Sequence, residues 1–344
     1  MQKKVRVVQM GLGPIGNKET QFLSEKANNI EIVGAIDTDP AKIGKDVGTL
    51  AGLPALGVKV SGDIASVLAK GGVDVVMLTT TSSLTATCEQ LLQLLPFGVN
   101  IISSCEELSY PWGTNPELAA KIDKLAKEKN VAVLATGVNP GFLMDYLPVV
   151  LTGVCRNVSK VTVERIQDAT FRRIPFQKKI GAGLTVPQFH AKVKEGTLRH
   201  VGLTESMHMI AASLGWKLDK AGEVITPIIA KRKVKTEAMV VEAGNVLGVQ
   251  QIGSGVMAGQ EVISMIFRAA IAEPDARDRI VIEGTPAIDS CIKGGVNGDV
   301  ATCAVLVNAI PAVMNARPGL RTMADMEPPH CFFSSRELAM RAKR

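Results

Sequence analysis

Glu106 and Glu107 stand side by side in NIISSCEELSYPW, directly behind a β-branched run. Two adjacent carboxylates at a strand end repel each other, and Cys105, Tyr110, Pro111 and Trp112 can strip water from them. A carboxylate in that setting is suited to general acid–base work. A second constellation lies near the N-terminus. VVQMGLGPIG places Gly11, Gly13 and Gly16 behind a short apolar run and before a helical pattern, with Leu12, Pro14 and Ile15 completing the loop. In such a turn the first glycine permits the bend and the second lets backbone approach a pyrophosphate. The third allows helix–strand packing, and the helix N-terminus offers a positive end to phosphate. Asp37, in GAIDTD, lies about twenty residues further on, where an acid bonds a ribose 2′-hydroxyl and repels a 2′-phosphate. The pattern points to NAD, with Lys42 leaving NADP open.

Other groups fall at strand ends. The hydroxyl cluster Thr79 to Ser83 in MLTTTSSL, with Thr80, Thr81 and Ser82 at its centre, is expected to face the cofactor or to cap the next helix. Ser104 and Cys105, which end the following strand, are expected at the cofactor, as is Asn139 in GVNPGFLMD, which offers an amide at the next turn or else marks a hinge. In DATFRRIPFQKKIGAG, Arg172, Arg173, Gln177 and Lys178 form either a carboxylate fork or a solvated basic face. His200, alone in LRHVGLTES, is a substrate-binding candidate or else a structural or surface histidine. No His, Cys and acid cluster has metal-ligand spacing, so no metal is expected.

The elements that must position these groups read as follows. Up to about residue 135, continuous apolar strands alternate with amphipathic helices, which implies a doubly wound parallel sheet of the Rossmann type. The third strand, GVKVSGD, is the weakest. After GVNPGFLMD the strands alternate polar and apolar residues, and KTEAMVVEAG, GVQQIGSGVMAG, EVISMIFRAAI and RIVIEG read as an antiparallel meander with helices on one face. The expected class is thus α/β: a dinucleotide-binding domain over 1–138, then an α+β domain with an open mixed or antiparallel sheet over 139–305. A C-terminal helix and tail over 306–344 are expected to return to the first domain. GDVATCAVLVNAIPAVMNA reads as one apolar helix capped by Asp299, and RPGLRTMADMEPP as irregular.

The 344 residues carry a net charge of +6 with scattered basic residues, and 4% aromatics leave no base-stacking surface, so a nucleic-acid partner is not expected. No apolar run is long and clean enough for a bilayer. The six cysteines form no CxxC pair, and MQKKVRVVQM does not read as a signal peptide, so a reduced, cytoplasmic setting is expected.

Taken in order, GLGPIG, SSCEELSYPW, GVNPGFLMD, LTGVC, RRIPFQKKIGAGLT, HVGLTES, NGDVATCAVLVNAIP and GLRTMADMEPP resemble the 2,4-diaminopentanoate dehydrogenases. These are relatives of the dihydrodipicolinate reductases and the native amine dehydrogenases. The resemblance implies NAD(P)-dependent oxidative deamination of 2,4-diaminopentanoate to 2-amino-4-oxopentanoate, in ornithine breakdown, or reductive amination with ammonia in reverse. It places the acid–base role on Glu106 or Glu107 and the substrate carboxylate on the Arg172 cluster. Thr302 and Asn308 become candidates for the cleft wall, and a homodimer is implied. Two alternatives stand beside it: an amine dehydrogenase of broad ketone and aldehyde range, and a non-catalytic dinucleotide sensor.

Overall fold

The computed structural model describes residues 4–172, 174–237 and 239–332. The described residues form two compact units, one running up to Phe142 and resuming at Asn297, the other spanning Leu143–Val296.

The first unit begins with β1 (Val5–Met10), α1 (Pro14–Glu25), β2 (Ile30–Ile36), α2 (Val47–Leu50), β3 (Val60–Ser61), α3 (Ile64–Leu68) and β4 (Val75–Leu78). It continues with α4 (Leu84–Leu94), β5 (Asn100–Ser103), α5 (Pro116–Glu128) and β6 (Ala132–Ala135). Every residue of β4 and β6 is buried, as strands covered on both faces must be. α5 shows the complementary logic. Pro116 opens it, Glu117 lies in its first turn and Lys127 in its last, and Ala119, Ile122 and Ala126 fall on one buried stripe.

The second unit comprises α6 (Tyr146–Thr152), β7 (Asn157–Asp168), α7 (Ile174–Lys179), α8 (Val186–Lys194), α9 (Leu203–Ser213), β8 (Lys220–Ile229), β9 (Val234–Lys235) and β10 (Val240–Val241). It ends with β11 (Val246–Met257), β12 (Gln260–Ala270), β13 (Arg277–Thr285) and β14 (Ile288–Lys293). The chain then rejoins the first unit through α10 (Gly298–Asn308), α11 (Ile310–Met314) and β15 (Gly319–Arg321).

In the first unit the strand order is β15-β6-β5-β4-β1-β2-β3, all parallel. The order reverses between β1 and β4, where such sheets open a crevice at the carboxyl ends of their strands. In the second unit the order is β14-β13-β7-β12-β11-β8, with β7 and β12 parallel and the other pairs antiparallel. Period-two alternation puts Val161 and Val163 of β7, Ile263, Met265 and Phe267 of β12 and Ile280 and Ile282 of β13 into a core with Phe189 of α8 and Met207 and Ile210 of α9. The β11–β12 hairpin turns on Ala258 (φ +51°) and Gly259 (φ +77°), the two left-handed positions of a tight hairpin loop.

Several expectations change. The third strand shrinks to Val60–Ser61. KTEAMVVEAG gives a separate two-stranded ribbon, β9–β10, outside the main sheet. Lys220–Ile229 is a full strand; it lies at the sheet edge, where Pro227 is tolerated. The expected single C-terminal helix is broken into α10 and α11 at Ala309, because Pro311 cannot extend an i→i−4 ladder. Its cap is Asn297, whose side chain accepts the Val300 N–H at 3.1 Å, and Asp299 sits inside the first turn. The return to the first unit starts at Asn297 rather than 306, since α10 packs on α1. GLR, expected to be irregular, is β15, the seventh parallel strand.

Candidate active site on the parallel sheet and a basic cluster on the mixed sheet

The glycine loop follows β1 at the reversal point. Gly11 has φ +89°, and a Cβ there would lie 2.6 Å from the Thr79 carbonyl oxygen. At Gly16 a Cβ would fall 1.9 Å from the Gly11 carbonyl oxygen, so helix and turn pack backbone to backbone. A Cβ on Gly13 would meet nothing within 4 Å, and no side chain caps the N-terminus of α1. Open space over glycine backbone at an uncapped helix start fits a dinucleotide pyrophosphate. Leu12, Pro14 and Ile15 complete that loop. The Leu12 N–H donates to Asp37 Oδ2 at 2.7 Å, which ties the end of β2 to the loop. Asp37 also accepts from Asp39 N at 2.9 Å and Lys42 Nζ at 3.0 Å. Burial opposes ionisation of Asp37, but these donors outweigh it and hold the carboxyl below its usual range.

Across the reversal point, Thr79 Oγ1 donates to the Gly11 carbonyl at 3.0 Å and accepts from Gln9 Nε2 at 2.9 Å. Thr80, Thr81 and Ser82 turn toward α4. Thr80 bonds Gln90 Oε1 at 2.6 Å, Thr81 Oγ1 accepts from Ser83 N at 3.2 Å, and the Ser82 carbonyl accepts from Cys105 Sγ at 3.3 Å. Thr79, at the head of the hydroxyl cluster, is therefore the member that hydrogen-bonds the loop.

The acid pair lies at the end of β5, next to β4, as a single 3-10 turn over Glu106–Leu108. Its members differ. Glu107 Oε2 accepts the Leu84 N–H at 2.9 Å, the first residue of α4, whose Ser83 provides no side-chain cap. The Glu106 carboxylate, half-buried, has no hydrogen bond or ion pair among the described residues. Ser104 is half-buried beside it, while Cys105 is fully buried and its thiol is pushed up to about 12 by burial. A buried neutral thiol packs as a small hydrophobe.

The turn after β6 is the next position along the same edge. It carries buried Asn139, and Thr302 Oγ1 of α10 accepts from Val138 N at 3.3 Å, bracing that turn. Asn308 ends α10, half-buried.

On the second unit, β7 presents Arg165, buried and paired to Asp278 Oδ1 at 2.6 Å, with its other nitrogen on the Val296 carbonyl. Arg172 bonds Gln167 Oε1 at 3.1 Å and lies over the Phe176 ring, 4.0 Å from its centroid. His200 stacks on Phe267 at 4.2 Å, and the Gln251 side chain bonds both its backbone N–H and its carbonyl. Burial first, then Lys179, Arg165 and Arg199, push the imidazole down to about 3, so it is neutral near pH 7. Gln177 is no ligand-facing group: its amide is buried and donates at 3.0 Å to the carbonyls of Ala169, Thr170 and Arg172, which shapes the loop that carries Arg172. Lys178 is exposed, and Arg173 lies outside the described residues.

The sequence reading missed Gln9, Arg165, Gln167 and Gln251. The available signal was a polar residue inside a buried strand: Gln9 in VRVVQM and Arg165 in VTVERIQD. Among the described residues no group of three or more His, Cys, Asp and Glu could hold a metal, and no helix is long and apolar enough to cross a membrane.

Residues 142–342 match the model of the 2,4-diaminopentanoate dehydrogenase C-terminal domain, and residues 2–100 match a CoA binding domain model. The chain is 36% identical to a 2,4-diaminopentanoate dehydrogenase of Acetoanaerobium sticklandii, across 95% of this chain and 94% of that protein. It is 24% identical to an amine dehydrogenase of Streptomyces virginiae, across 94% of this chain and 96% of the relative. Among solved structures, an amine dehydrogenase from Mycobacterium smegmatis superposes with a TM-score of 0.83 at 27% identity, covering 96% of this chain and 98% of that one.

Proposed function

Since the chain belongs to the 2,4-diaminopentanoate dehydrogenase family, we propose that it catalyses NAD(P)-dependent oxidative deamination of 2,4-diaminopentanoate to 2-amino-4-oxopentanoate, and the reverse amination with ammonia. The observation that carries this reading beyond family membership is the division of labour in the acid pair: Glu107 is spent on α4 and Glu106 is left for chemistry.

The substrate amine arrives as an ammonium with a pKa of roughly 10, and freeing its lone pair at pH 8 costs about 3 kcal/mol. Glu106 accepts that proton and passes it to solvent. When bound, the nicotinamide supplies the hydride acceptor. Loss of hydride from the amine carbon leaves an iminium, whose charge the re-ionised Glu106 balances. Glu106 then takes a proton from the water that attacks the iminium carbon, and ammonia departs from the resulting carbinolamine. Gly11–Gly16 hold the pyrophosphate and Asp37 the adenosine ribose, as their geometry suits. The Asp37–Lys42 pair supports NAD as the preferred cofactor with NADP accepted: the carboxylate suits a ribose diol, and Lys42 offsets its repulsion of a 2′-phosphate. Arg172, steadied by Gln167 and Phe176, binds the substrate carboxylate, with the positive charge of Arg165 adding to its field.

A homodimer is supported by Val224 and Ile252, cross-strand neighbours exposed on β8 and β11. The six unpaired cysteines suit a reducing cytoplasm.

The test is reduced-cofactor formation with 2,4-diaminopentanoate at mildly alkaline pH. Turnover supports the proposal. Turnover only with amines lacking a carboxylate moves the assignment to a general amine dehydrogenase, and cofactor binding without turnover on any amine sinks it.

A further inference from the structure

Glu19 lies in the second turn of α1, fully buried, and neither of its oxygens has a hydrogen-bond partner among the described residues. The polar group facing it is the amide of Gln9, equally buried in β1. The Gln9 amide nitrogen is committed: it donates to the Gly11 carbonyl at 3.2 Å and to Thr79 Oγ1 at 2.9 Å. Its oxygen, Oε1, is sealed from solvent with no donor. An ionised Glu19 would leave a buried charge and a buried acceptor both unmatched. A protonated Glu19 resolves both defects at once, because the acid O–H is the donor that Oε1 lacks.

We propose that Glu19 is kept as a neutral acid and serves as a positioning residue for the cofactor loop, donating its proton to Gln9, which in turn holds Gly11 and Thr79. The surroundings agree from every side. Among the described residues no cation pairs with Glu19. From α10, the ionisable group coupled to Glu19 is Cys303, whose Sγ contacts the Ile15 carbonyl at 3.7 Å. Burial pushes that thiol up, so it adds no charge of its own, and Lys18 and Asp299 oppose each other there. On the α2 side Gln21 is spent on the Ala51 carbonyl. Burial raises Glu19 to about 8, with the Gln9 contact opposing the rise, so the proton is present near neutrality and leaves under mildly alkaline conditions.

The consequence concerns the dinucleotide, and it rests on the cofactor reading of the loop given above. Ionisation would remove the brace on Gln9 and place a negative charge inside the helix whose N-terminus faces the pyrophosphate. Cofactor affinity falls with rising pH, and by linkage the bound anionic cofactor favours the protonated acid.

The experiment titrates NADH into the full-length chain from pH 6.5 to 9.5, for wild type and Glu19→Gln, alongside thermal unfolding without cofactor. Glutamine keeps a donor for Gln9 and cannot ionise. Wild-type Kd is expected to rise toward tenfold per pH unit above pH 8, while the Glu19→Gln profile stays flat. The unfolding temperature of Glu19→Gln is expected to gain on wild type between pH 5 and 8. Superimposable binding and unfolding profiles overturn the proposal and leave the cofactor reading standing. Failure of both proteins to bind NADH at any pH overturns the cofactor reading, and the positioning role with it.

Discussion

Glu107 and Leu84, separated by 23 positions in sequence, meet where the carboxylate accepts the first N–H of α4 at 2.9 Å. A cap borrowed from the neighbouring strand end fixes one member of the acid pair to the scaffold and sets the two glutamates apart. Glu106→Gln is therefore expected to lower kcat about 10²–10⁴-fold with the fold intact. Glu107→Gln is expected to lose about 1 kcal/mol of stability with a smaller kinetic effect. Steady-state rates beside urea unfolding check both, and equal kcat losses in the two variants would refute the division.

Lys42 and Asp37 predict cofactor preference. Lys42→Ala is expected to raise the KM for NADP more than that for NAD, and Asp37→Ala to cost NAD about tenfold or more in kcat/KM, roughly 1.4 kcal/mol of binding. The readout is the NAD-to-NADP ratio of kcat/KM; a ratio unmoved by both substitutions argues against ribose readout at Asp37.

Arg172 predicts a split between substrates. Arg172→Ala is expected to raise KM for an amine bearing a carboxylate at least tenfold, the loss of about one charge-assisted hydrogen bond. A carboxylate-free amine should be little affected. Equal losses on both substrates would place Arg172 in the scaffold instead.

His200 predicts an acid-labile second unit. Its folded pKa of about 3 lies below the ordinary 6.5, so the folded chain keeps the ring neutral while the unfolded chain protonates it. That stability is fully present above pH 6.5 and is lost as pH falls toward 3, at about 1.4 kcal/mol per unit once below 6.5. Denaturant unfolding from pH 7 to 4 should show this slope in wild type and a shallower one in His200→Phe. Parallel slopes would remove His200 as the cause.

The alternation of apolar strands and amphipathic helices announced the parallel sheet, and Gly11, Gly13, Gly16 and Asp37 announced its crevice, because those features are local. Long-range partnerships stayed hidden. Nothing near Glu107 in sequence indicates that its oxygen caps a helix starting at Leu84. A three-residue strand such as Gly319–Arg321 has too little periodicity to register, and only its pairing with β6 makes it a strand. Gln177 misled for the same reason: a polar residue in a basic run reads as a ligand group until its three backbone carbonyls are seen.

The chain leaves the first unit after Phe142 and re-enters it at Asn297, and the parallel sheet is completed only at Gly319–Arg321. A ribosome therefore releases β6 with one edge bare and α1 without its α10 partner for as long as the intervening residues take to be made. The face of α1 that α10 later covers and the exposed β6 edge are open to strange strands until the last segment emerges. A product cut short before Gly298 would keep that vulnerability for good, which makes the C-terminal return a quality checkpoint on the whole nucleotide-binding half.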